Sequence, residues 1–175
     1  MQCLPPDGNT IQGCVVIQRS VQEVFGYYRD FGNLPNFLGD VMAVQQINPT
    51  TSRWTIQGPF GIRARWVVKV TEQRTNELIR YETVSSPRLK TYWEIHFTSR
   101  PDTGETEVRE VMKAPLGRIG RAALALIGKI PDKEVCANLR RLRELLETGA
   151  VTDTSYAVAG KFPQHPSATR NRSSP

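Results

Sequence analysis

No stretch of this sequence holds the ~18 uninterrupted apolar residues that a membrane-spanning helix needs. The nearest, Ile119 to Ile130, is short and carries Arg121 and Lys129. Cysteine is scarce: Cys3, Cys14 and Cys136 are an odd number without C-x-x-C spacing, and the two histidines, His96 and His165, show no pairing with them. Neither a disulfide framework nor a zinc site is expected, and the thiols read as reduced and structural. A G-x-x-x-x-G-K-[ST] phosphate loop, an H-E-x-x-H motif and an assembled Ser-His-Asp or Cys-His set are also missing. Nucleotide-driven, metal-dependent and nucleophilic chemistry are therefore disfavoured, with no metal and no cofactor expected. The start, Met1 to Gly8, lacks the basic residues and the apolar run of about 7–15 that mark a secretory signal, so a cytoplasmic location is the expectation.

What is present suffices for one packed domain: 175 residues, 39% of them hydrophobic. Lys and Arg number 23 against 17 acids, a net charge of +6. Such a balance points weakly to an anionic partner; nucleic acid is disfavoured, and peripheral contact with an anionic membrane surface is a further reading.

Ile11 to Arg19 has the β-branched content of a strand. Ser20 with Glu23 three residues on forms a capping box, which predicts a helix over Val21 to Asp30. A second short helix follows, with Asn33 as its cap and Pro35 near its first position. Six strand-like runs come next: Val41 to Ile47, Arg53 to Gln57, Ile62 to Thr71, Leu78 to Val84, Lys90 to Thr98 and Thr106 to Met112. Their short, Pro- and Gly-rich breaks imply an antiparallel meander. Strict alternation sends Ile62, Ala64, Trp66, Val68 and Val70 to a covered face, together with Trp54, Tyr81, Trp93, Phe97, Val108 and Met112. After Pro115, Leu116, Ile119, Ala123, Leu126 and Ile130 form one helical stripe, and Val135, Leu139, Leu142 and Leu146 repeat it beyond Pro131, with Arg140, Arg141 and Arg143 outside. Pro131 is expected to kink or divide the helix. Residues 1–10 read as a flexible N-terminus, 11–149 as the domain, and 150–175, rich in Ser, Thr and Pro, as a flexible tail.

The run Val24-Phe25-Gly26-Tyr27-Tyr28-Arg29-Asp30-Phe31-Gly32-Asn33-Leu34-Pro35-Asn36-Phe37-Leu38 resembles the V-(F/Y)-x-x-(F/W)-R-D-F-x-N-L-P-x-F segment of bacterial polyketide cyclase/dehydrase-type proteins. Gly58-Pro59-Phe60-Gly61, Thr106 to Arg109 and the ending Asn138 to Gly149 are similar to the same group. On these residues the chain resembles the START-like (SRPBCC) superfamily, in its polyketide cyclase/dehydrase and coenzyme Q-binding-protein branch. The resemblance implies an α+β helix-grip fold: a curved antiparallel sheet wrapped round a long C-terminal helix, two short helices after strand 1, and a hydrophobic cavity between sheet and helix. It names no reaction.

The cavity wall is assigned to Trp54, Trp66, Tyr81, Trp93, Phe97 and Met112 of the sheet and Ile119, Ala123, Leu126 and Ile127 of the helix; the competing reading makes the aromatics plain core. Glu110 is the departure. Alternation from Val108 to Met112 puts it on the covered face, where desolvation would raise its pKa and fit it for acid/base work, with Tyr81 as a second weak candidate. A bulge turning Glu110 outward, or a salt bridge to an arginine, is the competing and favoured reading. His96 falls on the opposite face. The expected function is binding or transport of a lipid, isoprenoid or quinone-like molecule. A cyclase/dehydratase using the same cavity, and an interaction module at a membrane complex using the tail and the two basic faces, Arg63, Arg65 and Lys69 on one strand and Arg140, Arg141 and Arg143 on the last helix, are the alternatives.

Overall fold

The computed structural model describes residues 10–84, 90–113 and 131–162. Seven strands, β1 (Thr10–Ile17), β2 (Val41–Asn48), β3 (Thr51–Gln57), β4 (Arg63–Arg74), β5 (Leu78–Thr83), β6 (Tyr92–Arg100) and β7 (Glu105–Lys113), form one antiparallel sheet in the order β1-β7-β6-β5-β4-β3-β2. Consecutive strands from β2 to β7 are neighbours, as their short connections require. Only β1 is out of sequence: it pairs with β7, so the chain must cross from one sheet edge to the other before β2 begins.

That crossing is made by α1 (Val21–Arg29) and a 3₁₀-helix (Phe31–Asn36). The Ser20 capping box starts α1: Ser20 Oγ accepts from the Glu23 N–H while the Glu23 carboxylate accepts from the Ser20 N–H. Asp30, not Asn33, caps the 3₁₀-helix, its carboxylate accepting from Gly32 N–H at 3.0 Å. Asn33 instead donates its side-chain amide to the Tyr27 carbonyl, and Pro35 lies inside the 3₁₀-helix. The apolar members of the motif, Val24, Phe25, Tyr28, Phe31, Leu34, Phe37 and Leu38, are all buried. The motif is thus a packing device that lays the crossover on the sheet.

The C-terminal helix, α2 (Pro131–Thr148), lies on β1 through Val135 and Leu139. Its closeness depends on Gly13: a Cβ there would stand 2.9 Å from Val135 Cγ1 and 3.2 Å from Leu139 Cδ1, inside van der Waals contact. Gly149, at φ 81, ends the helix in the left-handed turn that only glycine takes freely, and its N–H reaches the Leu145 carbonyl. The predicted stripe from Leu116 to Ile130 lies outside the described residues, so the expected kink at Pro131 does too.

Three expectations are corrected here. Arg141 is fully buried rather than outside. Its Nε donates to the Phe37 carbonyl and its Nη1 to the Ser155 carbonyl, both at 2.7 Å, while Nη2 donates to Asn138 and the guanidinium stacks 5.1 Å from the Phe162 ring centre. Residues 151–162, expected to be part of a flexible tail, supply those partners and form an ordered strap. Val151 and Phe162 are buried, Val158 N–H donates to the Gly39 carbonyl, and Lys161 donates to the carbonyls of Leu38 and Val41. Composition missed the strap because buried backbone carbonyls gathered round two cations stabilise it more than apolar area does. Finally, Cys14 is disulfide-bonded and Cys136 free, against the expectation of three reduced thiols.

Arg141→Met keeps the stem and removes every donor, leaving buried carbonyls without partners at a cost of about 3 kcal/mol. Calorimetry should show the unfolding midpoint falling by about 10 °C. An unchanged midpoint would contradict the assigned role of Arg141.

Candidate functional site

Alternation carries Ile11, Gly13, Val15 and Ile17 of β1 and Thr106, Val108, Glu110 and Met112 of β7 to the covered side. In register, Gly13, Glu110, Ile95 and Ile79 run side by side across β1, β7, β6 and β5. The pairing of β7 with both neighbours is unbroken from Thr106 to Lys113, so no bulge turns Glu110 outward. The favoured reading of the sequence, a bulge or a salt bridge, is overturned on both counts: Glu110 is 1% exposed, and its Oε2 has no hydrogen-bond partner among the described residues. Its partner in the ladder is Gly13, against which Val135, Cys136 and Leu139 of α2 pack.

Glu110 reaches a cavity of about 60 Å³. Trp54, Trp66, Tyr81 and Trp93 supply its aromatic wall and Ile56, Val68, Leu38 and Val41 its aliphatic one; Asp40, Thr83 and Asn138 add polar atoms. The volume accepts a few water-sized groups and is smaller than the ~150 Å³ that takes up benzene. Three of its rings, Trp54, Tyr81 and Trp93, form one connected set. Tyr81 stacks on Trp93 with ring centres 5.8 Å apart and planes 12° apart, meets Trp54 at 5.6 Å, and takes the edge of Phe31 at 5.3 Å. Trp54 donates its indole N–H to Ser52 Oγ at 2.8 Å, so this ring is held from within the sheet.

Burial, and next the negative charge of Asp40, push the Glu110 carboxyl up to about 8. At neutral pH it is a protonated carboxylic acid, one O–H donor set among aromatic rings. Tyr28 is its neighbour: fully buried, with a hydroxyl set close to that of Tyr81. Burial first, and then Glu110, raise both Tyr28 and Tyr81 well above the usual phenol value. The two phenols therefore stay protonated across the physiological range, and the carboxyl is mostly protonated at neutral pH.

The remaining expected wall residues fall differently. Trp66 lines the cavity yet is 38% exposed, and Ile62, expected under cover, is 68% exposed and lies in the turn before β4, which begins at Arg63. Phe97 packs edge-on against Phe25 and Tyr28 in the core, and Met112 is buried across the ladder from Trp93; neither lines this cavity. Ile119, Ala123, Leu126 and Ile127 lie outside the described residues. Sequence reasoning did not single out Tyr28, Asp40, Thr83 or Asn138. Tyr28 was hidden in a motif read only as structural, and Asp40 in a turn. His96 is on the outer face beside Glu94, and burial lowers its pKa. Among the described residues no three His, Cys, Asp or Glu are grouped to hold a metal ion, and no helix is long and apolar enough to cross a membrane.

The seven-stranded antiparallel sheet with a C-terminal helix packed on it defines an α+β fold of the helix-grip type. A family model described as polyketide cyclase / dehydrase and lipid transport matches residues 17–167, and the chain belongs to that family. Solved structures share the fold. The Thermus thermophilus protein TTHA0849 is 18% identical with a TM-score of 0.65, covering 80% of this chain and 98% of its own. The di-domain ARO/CYC BexL of the BE-7585A biosynthetic pathway is 15% identical with a TM-score of 0.61, covering 79% of this chain and 46% of its own. A START superfamily protein from Mycobacterium smegmatis is 12% identical with a TM-score of 0.55, covering 73% and 97%. No curated protein matches the chain in sequence.

A carboxyl raised in the native state destabilises folding progressively as pH climbs. The unfolded Glu110 ionises near 4.5 while the native one holds its proton to about 8, so the penalty is absent below the first value and complete above the second. Glu110→Gln removes that titration. The midpoint of the variant minus that of the wild type should rise by about 5 °C or more between pH 5 and pH 8.5, with other groups cancelling in the difference. A difference flat with pH would show that Glu110 is ionised in the native protein.

Proposed function

We propose that this chain binds a lipophilic small molecule whose hydrogen-bond-accepting end, a carbonyl or comparable oxygen, takes the proton of Glu110. The carrying observation is the buried, unpartnered Glu110 oxygen in an aromatic-walled cavity. A polar group left so costs on the order of 1–3 kcal/mol, which a ligand oxygen offsets on binding. The aromatic wall then contributes by removing apolar ligand area from water, at about 25 cal/mol per Å² before association costs. The family's description, lipid transport beside cyclase and dehydrase, supports a lipid, isoprenoid or quinone-like ligand.

Quenching of tryptophan emission by a small naphthoquinone reads this directly, because Trp54, Trp66 and Trp93 all line the cavity that its carbonyl end would enter, the rings themselves being larger than the space the described residues enclose. Saturable quenching is expected, weakened about tenfold in Glu110→Leu through loss of one hydrogen bond, while a hydrocarbon of equal size binds the variant at least as well. Quinone binding that Leu leaves intact would refute the assigned donor.

A second reading is favoured by the cluster of Glu110, Tyr28 and Tyr81, and by the fold shared with an aromatase/cyclase-named protein. In it the cavity holds a polyketide-like chain and Glu110 moves a proton during cyclisation or dehydration. Under that reading Glu110→Gln keeps binding and loses turnover.

A further inference from the structure

We propose that the β3–β4 turn is a docking tip for a lipid surface that carries anionic headgroups. Phe60 is 94% exposed and Ile62 68%. The turn that bears them is closed by the Gly58 N–H donating to the Ile62 carbonyl at 2.8 Å. Phe60 takes φ 58 and ψ 21, followed by Gly61 at φ 75. The left-handed region is rare for a bulky side chain, and here it points an aromatic ring away from the sheet. Folding gains nothing from that placement.

Between Asp40, whose carbonyl accepts from the Gln57 N–H, and Glu72 near the far end of β4, the chain behind the tip carries one sign of charge. From Val41 to Thr71 there is no Asp or Glu, while Arg53, Arg63, Arg65 and Lys69 are all present and all exposed. In register, Gln57 faces Arg63, Thr55 faces Arg65 and Arg53 faces Val67, so these cations share the face opposite to the cavity. None is ion-paired among the described residues; Arg53 donates only to the Gln45 side-chain carbonyl, and Glu82 stands across from Lys69 at the end far from the tip.

An apolar point with cations just behind it fits a bilayer interface. Phe60 and Ile62 enter the headgroup–acyl boundary while Arg63 and Arg65, one and three residues on from Ile62, meet phosphates. A protruding point suits this better than a protein partner, whose stable interfaces need a patch of ~800 Å² per side. Trp66 lies on the same strand, exposed on one side and lining the cavity on the other, so a docked tip brings the cavity wall close to the lipid. The inference itself does not depend on what the cavity holds.

Vesicle sedimentation tests it, with phosphatidylcholine alone and with about a third phosphatidylglycerol, at low and high salt. Binding to the anionic vesicles, about tenfold stronger than to the neutral ones and weakened by salt, is expected. Arg63→Glu with Arg65→Glu should abolish the preference for anionic lipid. Phe60→Ser with Ile62→Ser should weaken binding about tenfold, the far-UV spectrum being unchanged. In Phe60→Trp, the added emission should shift to the blue on binding and be quenched by brominated acyl chains. Equal or absent binding to the two vesicle types, or a Phe60→Trp emission that stays at its solvent wavelength, would overturn the proposal.

Discussion

The close approach of α2 to β1 over Gly13 sets the geometry on which the cavity depends. With no side chain at position 13, Val135 and Leu139 come down onto the strand, and the same gap leaves Glu110, directly across the ladder, enclosed under the helix. A Cβ there would press on Val135 and Leu139, so those side chains or the helix that carries them would have to shift. The protonated carboxyl is therefore a consequence of helix packing as much as of its own strand, and it links a backbone choice in β1 to the chemistry available inside the sheet.

Arg141 provides the second constraint. It joins α2 to the loop after the 3₁₀-helix through Phe37 and to the C-terminal strap through Asp153 and Ser155. Lys161 closes the strap over Leu38 and Val41, and burial lowers its pKa to about 8. Since Leu38, Asp40, Val41 and Asn138 border the cavity, the strap fixes one of its walls. Gly39 is part of that seam: a Cβ would lie 2.8 Å from Arg141 Nη2 and 2.9 Å from the Tyr156 carbonyl.

Much of this was legible in residue order. The capping box at Ser20, the period-two alternation and the Gly- and Pro-marked turns place α1 and the strands to within a few residues, because each is a local signal. Alternation also placed Glu110 on the covered face; what misled was its energy, since an unpaired buried carboxylate is so costly that a bulge looked better. Protonation resolves that cost, and it depends on a helix packed from far along the chain. Arg141 and the strap were invisible for the same reason: their stability comes from carbonyls supplied by Phe37 and Ser155, which no composition window brings together. Trp66 and Ile62 alternate correctly yet stand partly in water, because periodicity reports a face and not what covers it.

The family combines lipid transport with cyclase and dehydrase chemistry on one fold, and in this chain both readings converge on a neutral acid among aromatic rings. The direct measurement is a ¹³C NMR titration of the Glu110 side-chain carboxyl, assigned by its loss in Glu110→Gln. The account predicts a resonance that stays at its protonated position through pH 6 and titrates near 8. A midpoint in the ordinary range of about 4–5 would contradict it, showing a solvated or charge-paired carboxylate rather than a buried donor.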